Sequence, residues 1–283
     1  MENIREAATI IEPKFVIEGA GVKLQRSISP DVSNKFDPFL LWDHFAFNDP
    51  VEGENPGFPM HPHRGIETVT YILDGSVRHR DSLGNSGSIG AGDIQWMTAG
   101  GGILHEEMPK AGEHGGIHGF QLWVNLPSAL KMKSPRYQDV KSSEIPTITS
   151  RGASIRLIAG TLEDVQGPVT EIAADPFYAD ITLSAGSEFT HIFPKDHTVL
   201  AYLFEGSGTF GTSTKVPSVR LIKFYDGEIF KAKSGELSPM RFMLISGAPF
   251  KEPIVPYGPF VMNTTQEIQQ ALIDLRNGTF VKK

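Results

Sequence analysis

Two short stretches carry side chains that could do chemistry. One is His61-Pro62-His63 and the other is His105-Glu106-Glu107. Each places ligand-type side chains at i and i+2. In a strand, alternate side chains share a face, so His61 and His63 point the same way, and so do His105 and Glu107. Glu106 points the other way, toward solvent or a nearby cation. Between residues 63 and 105 there is room for a hairpin and one more strand, enough to bring the chain back beside its start in a small barrel. Three imidazoles and one carboxylate then converge. Nitrogen and oxygen donors without sulfur suit Fe, Mn, Co, Ni or Cu, and an octahedral ion so held keeps two positions open. Open positions belong to a site that reacts or binds a ligand, whereas a closed tetrahedral site is structural. A lone H-x-H pair is more often ordinary surface or core histidine. Clustering changes that balance: seven of the nine histidines (44, 61, 63, 79, 105, 114 and 118) lie within 75 residues.

The elements that must position these groups read as β-strands. The chain has 283 residues with 29 glycines and 20 prolines, a turn-heavy composition that favours many short strands and, by length, two domains. Residues 68–73 run into Asp74-Gly75, a hairpin signal, and 76–80 form the return strand. Residues 81–93 read as a turn-rich connection, 94–97 as a strand, and 117–127 as the strand that closes the region. Residues 128–150 are polar and lack periodicity. The domain boundary is placed there, giving an N-terminal metal-binding domain over 1–138 and a C-terminal domain over 139–283. Strand-like stretches follow at 154–160, 177–186, 198–208 and 241–247. One helix is expected near the end. Thr264 and Glu267 make a capping box before Ile268, Ala271, Leu272 and Leu275, and Asn277-Gly278 stops it.

Residues 67–76 resemble residues 197–207 with one extra residue, as two similar β domains in tandem would. No histidine occurs after 197, and the repeat puts Ile192 and Pro194, or His191 and Phe193, at the H-x-H positions. The second domain is therefore expected to be catalytically silent.

Composition excludes several classes. There is no cysteine, hence no disulfide, thiolate zinc site or thiol nucleophile. Lys plus Arg is 26 against 33 Asp plus Glu, a net charge of −7, which argues against a nucleic-acid surface. Residues 1–15 lack the features of a secretory leader, and no apolar run approaches a membrane span, so a cytoplasmic protein is expected. No dinucleotide loop, P-loop or nucleophile elbow is present.

The stretches 61–87 ("HPHRGIETVTYILDGSVRHRDSLGNSG"), 92–100 ("GDIQWMTAG"), 103–109 ("ILHEEMP") and 118–127 ("HGFQLWVNLP") resemble the pirin family of the cupin superfamily, and 258–264 ("GPFVMNT") is similar to its C-terminal signature. The likeness runs from residue 40 to the last helix. It implies an all-β bicupin, two tandem antiparallel barrels with a short C-terminal helix. It also implies one divalent transition metal in the N-terminal barrel, most often iron, with Mn, Co, Ni, Cu or Zn as alternatives. The family's ligands fall on His61, His63, His105 and Glu107. Gly101 and Glu106 depart from the usual residues, which alters charge and shape near the site. Glu67 is expected to be a supporting residue rather than a ligand, His79 and His114 to be packed or solvated, and His118 to support a ligand. Phe58, Met60, Met97 and Phe120 could line a pocket, with core packing the expectation for each taken singly. Asp43 and His44 carry no derivable role.

The resemblance implies two functional readings. One is a dioxygenase that uses O2 to cleave flavonols such as quercetin, with Glu107 as general base. The other is a metal-containing, redox-responsive regulator that binds other proteins.

Overall fold

The computed structural model describes residues 3–30, 35–47, 57–113 and 115–281. The chain is mostly strand, paired antiparallel throughout its named sheets, with one α-helix among the described residues, Thr265–Asn277. It divides into two compact units, and the chain passes from one to the other more than once. One unit comprises Lys14–Ser142 and Phe250–Lys283; the other comprises Met1–Pro13 and Ser143–Pro249.

This differs from a single division at 138/139. The central crossing falls at Ser142/Ser143, but both termini change sides. Strand Ala7–Ile11 pairs with Arg220–Phe224 and so belongs with the later sequence. The terminal helix turns its apolar stripe onto the earlier unit. Ile268 and Ala271 are buried with Phe260, Met262 and Phe280, while Leu272 is partly buried and Leu275 exposed. Its ends follow ordinary capping chemistry. The Thr264 side chain accepts from Glu267 N, the Glu267 side chain accepts from Thr264 N, and Gly278 terminates it at φ 71°.

The unit that carries the H-x-H motif is built from two facing sheets. A seven-stranded sheet runs in spatial order Arg136–Val140, Ile94–Thr98, Ile66–Asp74, Ile117–Asn125, Phe39–Phe47, Val22–Ile28 and Lys14–Glu18. A four-stranded sheet runs Phe58–His63, Ile103–Lys110, Ser76–Asp81 and Ser86–Gly90. Leu24, Phe45 and Ile72 from the first sheet meet Val77 and Ile89 from the second in one core cluster. Strand Ser86–Gly90 lies inside the stretch expected to be a turn-rich connection. Its small, mostly exposed residues lack the apolar alternation that marks a strand. Arg136–Val140 likewise lies in the stretch without periodicity, and is held by its pairing with Ile94–Thr98.

The second unit repeats the plan with a different interior. The strand Glu188–Ile192, where the H-x-H counterparts begin, pairs with Ile229–Ser234. His191 there lies against Phe177 and Phe193, and Phe193, Phe210, Phe224, Phe230 and Phe242 are all buried in the core. Aromatic rings fill this core beside His191. No helix among the described residues is long and apolar enough to cross a membrane.

Candidate metal centre

Strand Phe58–His63 lies at the edge of its sheet and, among the described residues, bonds only to Ile103–Lys110. That placement is why it tolerates Pro59 and Pro62, since an edge strand can lack ladder donors. His61 is the Cα partner of His105 across this pair. Together with His63 they form the one group of three or more potential ligands found among the described residues, with ligand atoms all within 4.8 Å of one another. The His105 ring centroid lies 4.4 Å from that of His61 and 5.1 Å from that of His63.

Hydrogen bonding sets the tautomers. His61 Nδ1 is 2.9 Å from Pro59 O, and His63 Nδ1 is 3.3 Å from Pro259 O. A carbonyl only accepts, so each Nδ1 carries a proton, which leaves the Nε2 of a neutral ring with its lone pair. The two Nε2 atoms face each other at 3.1 Å. Imidazole nitrogens that close need a cation between them, a shared proton or a metal ion. Two imidazole nitrogens bonded to one first-row metal at about 2.0–2.1 Å sit roughly 3 Å apart. His105 is buried, and neither of its ring nitrogens has a hydrogen-bond partner. Burial, with the neighbouring imidazoles second, pushes His63 and His105 well below the usual histidine range. Both are therefore neutral, the form that binds metal. On these observations the three histidines fit a divalent transition metal.

Glu107 enters differently. The alternation of Ile103–Lys110 does bury Glu107 beside His105 and turns Glu106 outward, where it pairs with Arg80 at 2.6 Å. However, the register against Phe58–His63 shifts between His105 and Glu107, so Glu107 pairs with Phe58. The bulge changes which edge-strand residue Glu107 faces. Its oxygens accept instead from Thr70 Oγ1 at 3.1 Å and Gln121 Nε2 at 3.3 Å. Glu107 thus shares a cavity with His61 and His63 without joining the close nitrogen cluster.

That cavity is about 380 Å³, within the range of small-molecule sites. Phe58, Leu41 and Trp123 supply apolar wall, and Trp123 stands edge-on to His63 with centroids 5.1 Å apart. Arg26 supplies a charged wall: it binds Asp43 through Nε and Nη2 at 2.8 and 2.7 Å, and Glu18 through Nη1 at 2.7 Å. Burial lifts Asp43 to about 6 despite the opposing pull of Arg26. Asp43 is thus the anchor of the cavity's one arginine, a role its place in the motif did not reveal. Gly101 and Glu106, the two departures from the family pattern, do not line the cavity.

The other expectations sort by strand parity. Glu67 is buried on Trp96 Nε1 and Thr98 Oγ1, with burial raising its pKa, and is no ligand. His79 is buried and stacks on Tyr137 with centroids 5.9 Å apart. His118 does not support a ligand. On Ile117–Asn125, Gln121 and Trp123 line the cavity, so His118, an odd number of residues away, faces the opposite side. There its Nε2 meets His44 Nε2 at 2.9 Å. His114 lies outside the described residues. Phe58 lines the cavity, Met60 is 44 % exposed, and Met97 and Phe120 are core. Sequence alternation missed Thr70, Gln121, Trp123 and Pro259. Gln121 and Trp123 do show a signal, a polar and an aromatic side chain at i and i+2 of an otherwise apolar strand.

The His44–His118 pair yields a pH prediction. Burial, and secondarily His118, pushes His44 down to about 3, against about 6.5 unfolded. The folded pKa is depressed, so below about pH 6.5 the unfolded state binds the extra proton and stability falls as pH drops toward 3. One such group contributes about 1.4 kcal/mol per pH unit in that window. Denaturant unfolding between pH 6.5 and 4.5 should show a shallower pH slope for His44→Phe than for wild type, by roughly one proton. Equal slopes would rule this account out.

Comparison with known proteins adds to this geometry. The family model described as Pirin matches residues 21–124, and that of the Pirin C-terminal cupin domain matches residues 178–281. Human pirin is 40% identical over 264 residues, covering 92% of this chain and 88% of its own. A crystal structure of quercetin 2,3-dioxygenase from Acinetobacter baumannii superposes with a TM-score of 0.90 at 36% identity, covering 98% of each chain. The bacterial pirin YhhW from Escherichia coli, solved in complex with nickel(II), shares the fold at a TM-score of 0.64 and 20% identity, over 85% of this chain and 99% of its own.

Proposed function

The chain belongs to the pirin family, and from that premise we propose that it is a metal-dependent dioxygenase acting on flavonols such as quercetin. The observation that carries this reading is the close triad of His61, His63 and His105, two of whose members open onto a cavity that also presents a carboxylate, Glu107. A divalent metal held by the triad, with iron the first candidate, would supply Lewis acidity toward a 3-hydroxy-4-keto unit and electrons for O2. The protein's own part is binding and proton transfer. Leu41, Phe58 and Trp123 offer flat apolar contact to an aromatic ring system. Glu107 is placed to accept the 3-hydroxyl proton, and Thr70 and Gln121 hold its two oxygens in orientation. Cleavage of the heterocycle then consumes one O2 and releases carbon monoxide.

The paired carboxylates of the second motif give the test. With metal-loaded protein, quercetin should be consumed only when oxygen is present. Glu107→Gln keeps the shape but loses the base, and should lower turnover about 100-fold or more, the usual contribution of a positioned proton acceptor. Glu106→Gln, whose parent side chain faces Arg80 at the surface, should turn over like wild type. Loaded wild-type protein that takes up no oxygen with any flavonol would sink the enzyme reading and favour a metal-containing protein that acts by binding others.

A further inference from the structure

The segment after residue 250 returns to the metal-binding strand and grips the residues that follow His63. Val261 N donates to Arg64 O at 3.1 Å. Lys131 Nζ joins the two chains by donating to Gly65 O at 2.9 Å and Val261 O at 2.7 Å. Gly65 has φ +82°, and a Cβ there would lie 2.1 Å from Val261 O, so only glycine permits the approach. Arg64 itself is 1 % exposed. Its Nη1 donates to Asp274 Oδ2 at 2.7 Å and its Nη2 to Phe280 O at 3.1 Å, and its guanidinium lies 4.3 Å from the Phe280 ring centroid. At the near end of the same segment, Pro259 O takes the Nδ1 proton of His63.

Arg64 offers no ligand atom and does not line the cavity. From its contacts we infer that Arg64 is a positioning residue for metal binding. Its ion pair with Asp274 holds residues 258–264 against the ligand strand, so that Pro259 O keeps His63 in the tautomer whose Nε2 faces His61. This rests on reading the triad as a metal centre. The physical basis is that an imidazole ligand needs an acceptor on its other nitrogen to fix ring orientation and proton position, and losing such a partner typically weakens metal affinity about 10–100-fold. Here the acceptor is supplied by a segment nearly 200 residues away in sequence, and Arg64 is its tether. The coupling is reciprocal. A metal on His63 must tighten that segment as much as the segment tightens the metal.

Cobalt(II) is the probe, because its visible spectrum reports ligand geometry. Binding to wild type, Arg64→Ala and Asp274→Asn is measured by chelator competition, with hydrogen exchange of residues 258–264 followed with and without cobalt. Arg241→Ala is the control, since it breaks an ion pair with Asp180 in the other unit. Arg64→Ala should bind cobalt about 10–100-fold more weakly with an altered spectrum, and Asp274→Asn should shift the same way by less. Arg241→Ala should match wild type in both. Cobalt should slow exchange at Val261 in wild type, and less so in the two variants. Unchanged affinity and spectrum in Asp274→Asn and in folded Arg64→Ala would overturn the inference, as would tight wild-type binding that leaves exchange at Val261 untouched. Failure of wild type to bind cobalt at all overturns the metal centre itself, and is distinguishable from both.

Discussion

Replacing His105 by leucine is expected to abolish metal binding and turnover while leaving the metal-free protein no less stable than wild type. Both His105 nitrogens are buried without a partner, and a buried polar group left unpaired costs about 1–3 kcal/mol. Leucine removes that penalty and fills a similar volume. The loss appears only when metal is supplied, because a ligand that binds the folded state stabilises it by about 2.7 kcal/mol at 100 times its dissociation constant. Thermal melts with and without metal, on both proteins, read this directly. Wild type should gain stability from metal, and His105→Leu should not respond. A metal response of equal size in the variant would remove His105 from the ligand set. A metal-free variant several degrees less stable than wild type would show instead that His105 is a packing residue.

Lys131→Met is expected to be the most destabilising single substitution in the metal-binding unit outside its apolar core. The ammonium is 1 % exposed and donates to three acceptors: Gly65 O, Asn125 Oδ1 at 2.6 Å and Val261 O. Burial draws its pKa down to about 7. An ammonium has three hydrogens to give, and the cradle has three acceptors to match. Methionine keeps most of the volume and leaves all three acceptors dry. At about 1–3 kcal/mol each, the loss is about 3 kcal/mol or more, or on the order of 10 °C in melting temperature for a unit of this size. Urea unfolding and calorimetry both test it. A loss under about 1 kcal/mol would mean that solvent reaches these carbonyls once the lysine is gone.

The triad was legible because strand alternation is a local property. His61 with His63, and His105 with its outward neighbour Glu106, follow from period two alone, and the hairpin at Asp74-Gly75 returns the chain to bring the two motifs together. What was not legible depends on pairing at a distance. The bulge between His105 and Glu107 is one unmatched step in register, and it has no composition of its own. Pro59 and Pro62 do mark an edge strand, which is where such shifts are common. Pro259 could not be placed from spacing, since nothing within its own segment says where the chain will lie. His118 was misassigned for a countable reason: it stands three residues from Gln121, and an odd interval puts it through the sheet. The two-unit plan was visible in the repeat at 67–76 and 197–207. The exchange of termini was not, because an edge strand such as Ala7–Ile11 carries no mark of the partner that will receive it.

That exchange of termini sets an order of events during synthesis. The metal-binding unit emerges from the ribosome lacking Phe250–Lys283, which are made only after all of Ser143–Pro249. Until they arrive, the three histidines can exist on their strands, but His63 has no acceptor for its Nδ1 proton and Arg64 no carboxylate. Strand Ala7–Ile11, made well before the rest of its unit, must wait for strand Arg220–Phe224 before it can pair. The usual economy of finishing an N-terminal domain while the rest is being translated is therefore closed to this chain. Its metal centre cannot be completed until the whole of the other unit's Ser143–Pro249 has been read.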